Sequence, residues 1–176
     1  FGILASTIML YGFSLIFGFT GTTNIYKLSE MFAAGEITLP FFFGLFALLI
    51  VGLGFKISIV PFHFWAPDVY QGAPTPIAGF LSTASKAAGF AVIVRLFFVA
   101  FSFGDTPALL QTWTWTLAIL AAVTMTVGNL LALPQTNIKR LLAYSSIGHA
   151  GYALIGVVAF SQLGAASVVF YLAAYI

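Results

Sequence analysis

Long apolar runs alternate with short polar breaks along this chain, and the two-residue rhythm and hairpin signals of a β-barrel do not recur. A bilayer core about 30 Å thick asks for about 20 apolar residues per helix. Six runs are read against that length: residues 1–19, 40–65, 76–103, 108–133, 138–160 and 164–176. The predicted fold is all-α, a polytopic transmembrane helix bundle forming one domain over residues 1–176. The first run ends in the polar stretch Gly18 to Asn24, and a loop with Lys27, Glu30 and Glu36 follows. Pro40 suits the first turn of the second run. Ala66 to Pro76, with Pro67, Gly72 and Pro74 inside it, reads as a turn. Asp105-Thr106-Pro107 reads as a cap with a first-turn proline, and Thr136 or Asn137 caps the fifth run after Pro134. The chain opens on Phe1 and stops inside an apolar run at Ile176, so it is expected to be the middle of a longer protein.

Composition settles the solvent. Hydrophobic residues make up 61% of the chain and charged ones 6%, with a mean hydropathy of +1.10. A soluble domain carries roughly 25% charged residues, so lipid bilayer must surround these helices. Six basic residues make no nucleic-acid surface, and zero cysteines exclude disulfides, thiolate metal sites and iron–sulfur ligation within this sequence. Paired-histidine haem ligation and a dinucleotide fingerprint are also missing, so no electron carrier is expected on this chain. Lys139 and Arg140 on one loop face outnumber Lys27 on the other, which predicts a cytoplasmic Lys139/Arg140 loop.

Two lysines change the picture. Lys56 lies nine residues before Trp65, about 13 Å of helix and too far for its side chain to snorkel to an interface. Lys86 lies ten residues after Pro76. A charged side chain at mid-bilayer costs roughly 2.5–3.5 kcal/mol, which favours a functional role for both over amines satisfied by carbonyls and merely tolerated. Gly79, Ser82, Lys86 and Gly89 share one helical face, a stripe suited to water around an amine or simply to close packing. Arg95 falls on the opposite face and snorkels or makes a structural pair. Gly52 and Gly54 before Lys56, and Pro61 after it, predict a broken-helix hinge. His149, near Ser145 and Ser146, is either a proton relay or an interhelical hydrogen-bonding group. His63, among Phe62, Phe64 and Trp65, is expected in an aromatic belt near the membrane surface. No Asp or Glu occurs in residues 40–60, 76–103 or 108–133, so a counter-ion for the lysines is expected outside this chain.

The stretch Gly54 to Pro76, the run Ser85-Lys86-Ala87-Ala88-Gly89-Phe90 and the stretch Gln135 to Tyr152 resemble the signature of the antiporter-like membrane subunits of respiratory complex I, most of all the subunit N branch. The resemblance covers nearly the whole chain. It implies a subunit of about fourteen helices built from two inverted repeats, of which this piece is helices six to ten and part of eleven. It matches Lys56 to the lysine of a broken seventh helix and Lys86 to a relay lysine on the eighth. A partner glutamate is implied before Phe1 and a further lysine beyond Ile176. The implied function is proton translocation in the bacterial inner membrane, coupled to quinone reduction elsewhere, beside other membrane subunits. NADH, flavin, iron–sulfur clusters and quinone are then expected in those partner subunits, with no cofactor here. The alternative in the same superfamily is a cation/proton antiporter of the Mrp type or a membrane-bound hydrogenase subunit. An intramembrane enzyme has only His149 as a candidate catalytic group, and a purely structural bundle leaves both lysines replaceable by leucine.

Overall fold

The computed structural model describes residues 1–34, 39–101 and 107–175, and no strand occurs among them. Helix α1, Gly2–Thr20, ends at Gly21, whose φ of 65° and N–H to the Phe17 carbonyl close the last turn. Helix α2, Ile25–Ala33, is capped by Asn24, whose side chain accepts from the Tyr26 N–H. Lys27 and Glu30 therefore sit on a short helix instead of a loop. Glu36 and the expected Asp105-Thr106 cap lie outside the described residues.

Helix α3, Leu39–Ile57, stops well short of Trp65. Ser58 takes a φ of 60°, the Ile59 N–H returns to the Gly54 carbonyl, and the Val60–Pro61 peptide is cis. Helix α4, Trp65–Gly72, follows where the sequence predicts a turn. Pro67 lies in its first turn, where a proline lacks no needed donor. Helix α5, Thr75–Ser82, and helix α6, Ala84–Arg95, are separated at Thr83 and continue into a π-helical turn, Leu96–Ala100. The stripe from Gly79 to Gly89 is thus divided between two helices.

Helices α7, Pro107–Ala132, α8, Ile138–Val158, and α9, Gln162–Tyr175, complete the described chain. Four runs are long and apolar enough to cross a membrane: α1, the α5-to-π-turn run Thr75–Ala100, α7 and α8. Helices α7 and α8 form the tightest pair. A Cβ on Gly128 would stand 2.6 Å from the Gly148 nitrogen and 2.9 Å from its Cα, so only glycine allows this approach. Helix α1 packs on α3 in the same way, since a Cβ on Gly52 would meet Met9 Cβ at 2.3 Å. Gly52, expected at the hinge, thus stands inside α3 and packs against α1.

The side chain of Asn137 accepts from the Lys139 and Arg140 N–H groups at the start of α8. Asn137→Ala is expected to cost about 1 kcal/mol. Faster amide hydrogen exchange at Lys139 and Arg140 would report it, and unchanged exchange would deny the cap a role. The opposite end of the bundle is aromatic. Phe46 and Phe97 lie 4.2 and 3.9 Å from Trp113, and Phe32 and Phe42 lie 5.1 and 5.6 Å from Phe101, measured between ring centroids. Edge-on and tilted pairs of this kind are favourable beyond their buried area.

Candidate functional site

Two hydrogen bonds fix the depth of the chain break. The Val60 N–H donates to Thr124 Oγ1 at 3.1 Å, and Trp65 Nε1 donates to the Phe55 carbonyl at 3.0 Å. Thr124 lies eight residues, about 12 Å, inside α7 from Ala132. Ser146 lies eight residues, again about 12 Å, inside α8 from Ile138. The break and Ser146 therefore share one level, roughly a third to a half of the way through the bundle. Gly54 makes the break possible, because a Cβ there would meet Phe62 Cδ2 at 2.8 Å.

At that level Lys86 is buried, with 4% of its surface exposed. Its Nζ donates to both the carbonyl oxygen and the hydroxyl oxygen of Ser146, each at 2.6 Å. An ammonium has three donors, so one remains for the cleft that Lys86 shares with Thr83, His149, Tyr171 and Tyr175. No carboxylate meets it; the one ion pair among the described residues joins Arg140 to Asp68. The partner of Lys86 is a pair of neutral oxygens, which holds an amine without fixing its proton.

Lys56 differs from expectation. Because α3 ends at Ile57, Lys56 stands in its last turn, exposed and without a hydrogen bond or ion pair among the described residues. The continuous helix to Trp65 does not form. Its stem nevertheless runs beside α6: a Cβ on Gly89 would lie 3.3 Å from Lys56 Cγ and 2.5 Å from Ile57 Cγ2. Gly89 is one turn beyond Lys86, so the absence of a side chain there brings the two lysine stems within a helical turn of each other.

His149 is half-buried and its Nδ1 lies 2.5 Å from the Tyr171 hydroxyl, with the Tyr175 ring 4.6 Å away. It lines the Lys86 cleft and also a wider cavity of about 380 Å³ that includes Tyr70, Ser82, Ser145 and Lys139. That cavity leads from the Lys139 end of the bundle to His149. Lys139 Nζ donates to the Ala73 carbonyl, and Arg140 Nη1 donates to Asp68 and to Gln71, so α4 is tied to the first turn of α8 at the cavity mouth. An exposed pair of this kind adds little stability in water; here it fixes position.

His63, expected in an aromatic belt, is buried within the protein, and its ring tilts against Phe64 at 4.6 Å. The break turns it inward. Its Nδ1 and the Ser58 hydroxyl are buried without a hydrogen-bond partner among the described residues. Arg95 is exposed at the end of α6. Thr124 and Tyr171 were not singled out by sequence. A polar residue within an apolar run is a weak signal, although Tyr171 and Tyr175, four apart, do share a helix face. Among the described residues no group of His, Asp or Glu side chains is arranged to hold a metal ion.

Known proteins share this chain's sequence and fold. The chain is 49% identical to NADH-quinone oxidoreductase subunit N 2 of Chloroherpeton thalassium over 99% of its own length and 35% of that protein. It therefore spans about a third of the relatives it matches. It superposes on a chain of respiratory complex I from Thermus thermophilus with bound aureothin, with a TM-score of 0.72 and 41% identity over 97% of this chain and 35% of that one. A chain of the Mrp complex from Dietzia sp. DQ12-45-1b gives a TM-score of 0.82 at 29% identity, over 97% of this chain and 30% of that one. The family model described as NADH:quinone oxidoreductase/Mrp antiporter, transmembrane, matches residues 1–176, and the chain belongs to that family of multi-pass membrane proteins.

Proposed function

We propose that the protein containing this chain is the proton-translocating subunit N of a bacterial NADH:quinone oxidoreductase, and that protons cross through Lys56, Lys86 and His149. The observation that carries this reading is the Lys86 amine, buried against Ser146 at mid-depth and facing a cleft that adjoins the cavity from Lys139. A lysine so placed exchanges a proton without moving far, and a nearby charge that comes and goes decides whether it keeps it. The orphaned Ser58 hydroxyl and His63 Nδ1 support a hydrated break, since buried polar atoms are costly unless water reaches them.

In this mechanism, Lys56 takes or gives up a proton as a carboxylate from outside the chain approaches or withdraws. Its exposure leaves its surface open to such a partner. Lys86 receives the proton through water held around the break, and His149 links Lys86 to the Lys139-side cavity. Pro61 and Gly54 shape the break that keeps the route open. The Lys139/Arg140 end faces the cytoplasm, and the neighbouring membrane subunits and the bilayer cover the rest. NADH, flavin, iron–sulfur clusters and quinone belong to partner subunits, and this chain carries no redox chemistry.

The second reading is a Mrp-type antiporter subunit, favoured by the 0.82 superposition on the Dietzia complex. The higher identity to subunit N proteins argues against it. Lys56→Ala in the assembled complex, reconstituted in vesicles, is expected to keep NADH oxidation while lowering the proton-to-electron ratio. A wild-type ratio in that variant sinks the proposal. An antiporter would instead exchange sodium for protons without NADH.

A further inference from the structure

Three cavities follow one another along α8. The first runs from Lys139 to His149, and the second is the Lys86 cleft. The third, about 390 Å³, lies between the last turns of α8 and the start of α9 and is lined by Tyr152, Gly156, Ser161, Gly164, Ser167 and Tyr171. His149 belongs to the first and second, and Tyr171 to the second and third. These two side chains are hydrogen-bonded to each other. The third cavity lies at the α8–α9 hairpin, on the side of the bundle away from Lys139.

A phenol both donates and accepts, and an imidazole does so through two different nitrogens. A neutral His149 with its proton on Nε2 accepts the Tyr171 O–H at Nδ1. A charged His149 must donate from Nδ1, which turns the phenol hydrogen away from the ring. We propose that Tyr171 positions His149 and passes its proton into the α8–α9 cavity, making this seam an outward route through the chain. The step rests on the reading of Lys86 and His149 as proton carriers. In it the Nδ1 proton of the imidazolium moves to the phenol oxygen while the phenol's own proton passes to water in the third cavity. The ring is left neutral, hydronium is formed, and Tyr171 is a phenol before and after.

The test uses the complete complex in vesicles, comparing Tyr171→Phe, Tyr171→His, Ser167→Leu and Lys86→Ala. Tyr171→Phe keeps the ring and removes the donor, so its proton-to-electron ratio is expected to fall to that of Lys86→Ala. Tyr171→His, which again donates and accepts, is expected to recover at least half of the loss. A packing role for the hydroxyl would predict no such rescue. Ser167→Leu narrows the third cavity one helical turn before Tyr171, and the same fall in ratio is expected there, which gives a second variant where Tyr171→Phe does not assemble. If Lys86→Ala loses pumping while Tyr171→Phe or Ser167→Leu pumps normally, the α8–α9 route is wrong and the lysine reading stands. If Lys86→Ala also pumps normally, both fall together.

Discussion

Lys86→Met is expected to remove proton flux through this subunit while leaving the bundle folded and electron transfer in the assembled complex measurable. Methionine keeps the unbranched stem, so the slot between α6 and α8 stays filled. What disappears is the amine and its two bonds to Ser146. The freed Ser146 hydroxyl can turn to a carbonyl one helical turn back, which limits the structural penalty. Removing a positioned proton-transfer group typically slows that transfer about 10²-fold or more, so the flux should fall below detection in a proton-to-electron measurement. Lys86→Arg tests the chemistry from the other side. Its guanidinium holds its proton across the whole accessible pH range, so it should fill the site and conduct poorly. Normal stoichiometry in either variant would return Lys86 to a structural role.

The second large effect is expected from a single methyl group. Gly128→Ala places a carbon 2.6 Å from the Gly148 nitrogen and 3.1 Å from the Tyr144 carbonyl oxygen, and neither is a side chain able to swing aside. The two helices must separate, at a cost of about 1–3 kcal/mol or more. Helix α8 carries Ser146 and His149, so the displacement reaches the Lys86 cleft as well. A lower melting temperature, less assembled complex and a reduced pumping ratio are expected together. Gly44→Ala is the matched comparison, because nothing lies within 4 Å of a Cβ there. It should be neutral or slightly stabilising, since alanine favours a helix over glycine. Equal behaviour of the two variants would mean that the close approach of α7 and α8 carries no strain.

Membrane class and the burial of Lys86 were legible from the sequence because both rest on quantities that a linear chain reveals: apolar run length, and the distance of a charge from the nearest polar break. Lys56 was misjudged in its surroundings for a definite reason. Its depth was measured along a helix assumed to reach Trp65, whereas Ser58 leaves helical geometry at once. Pro61 announced a disturbance, but not that it begins three residues earlier. Pro67 misled in the opposite direction, since a proline that reads as a breaker is also a good first-turn residue, and α4 forms around it. His63 was assigned to the surface by its aromatic neighbours, and the fold of the break carried it inside. Thr124 and Tyr171 matter only through partners more than twenty residues away, Val60 and His149, and no local pattern encodes such a pairing.

The ring cluster around Trp113 and Phe101 has an electrical consequence. On the side of Lys139 a cavity runs toward His149, whereas the rings of Phe42, Phe46 and Phe97 fill the far end around α3 and α7 with hydrocarbon and leave the α8–α9 cavity outside their cluster. A membrane voltage falls mostly across the least conducting stretch, which on the proposed route is the narrow cleft of Lys86, His149 and Tyr171 between the two wider cavities. On that route, work against the voltage, about 2.3 kcal/mol per elementary charge for each 100 mV, would be done chiefly across the cleft.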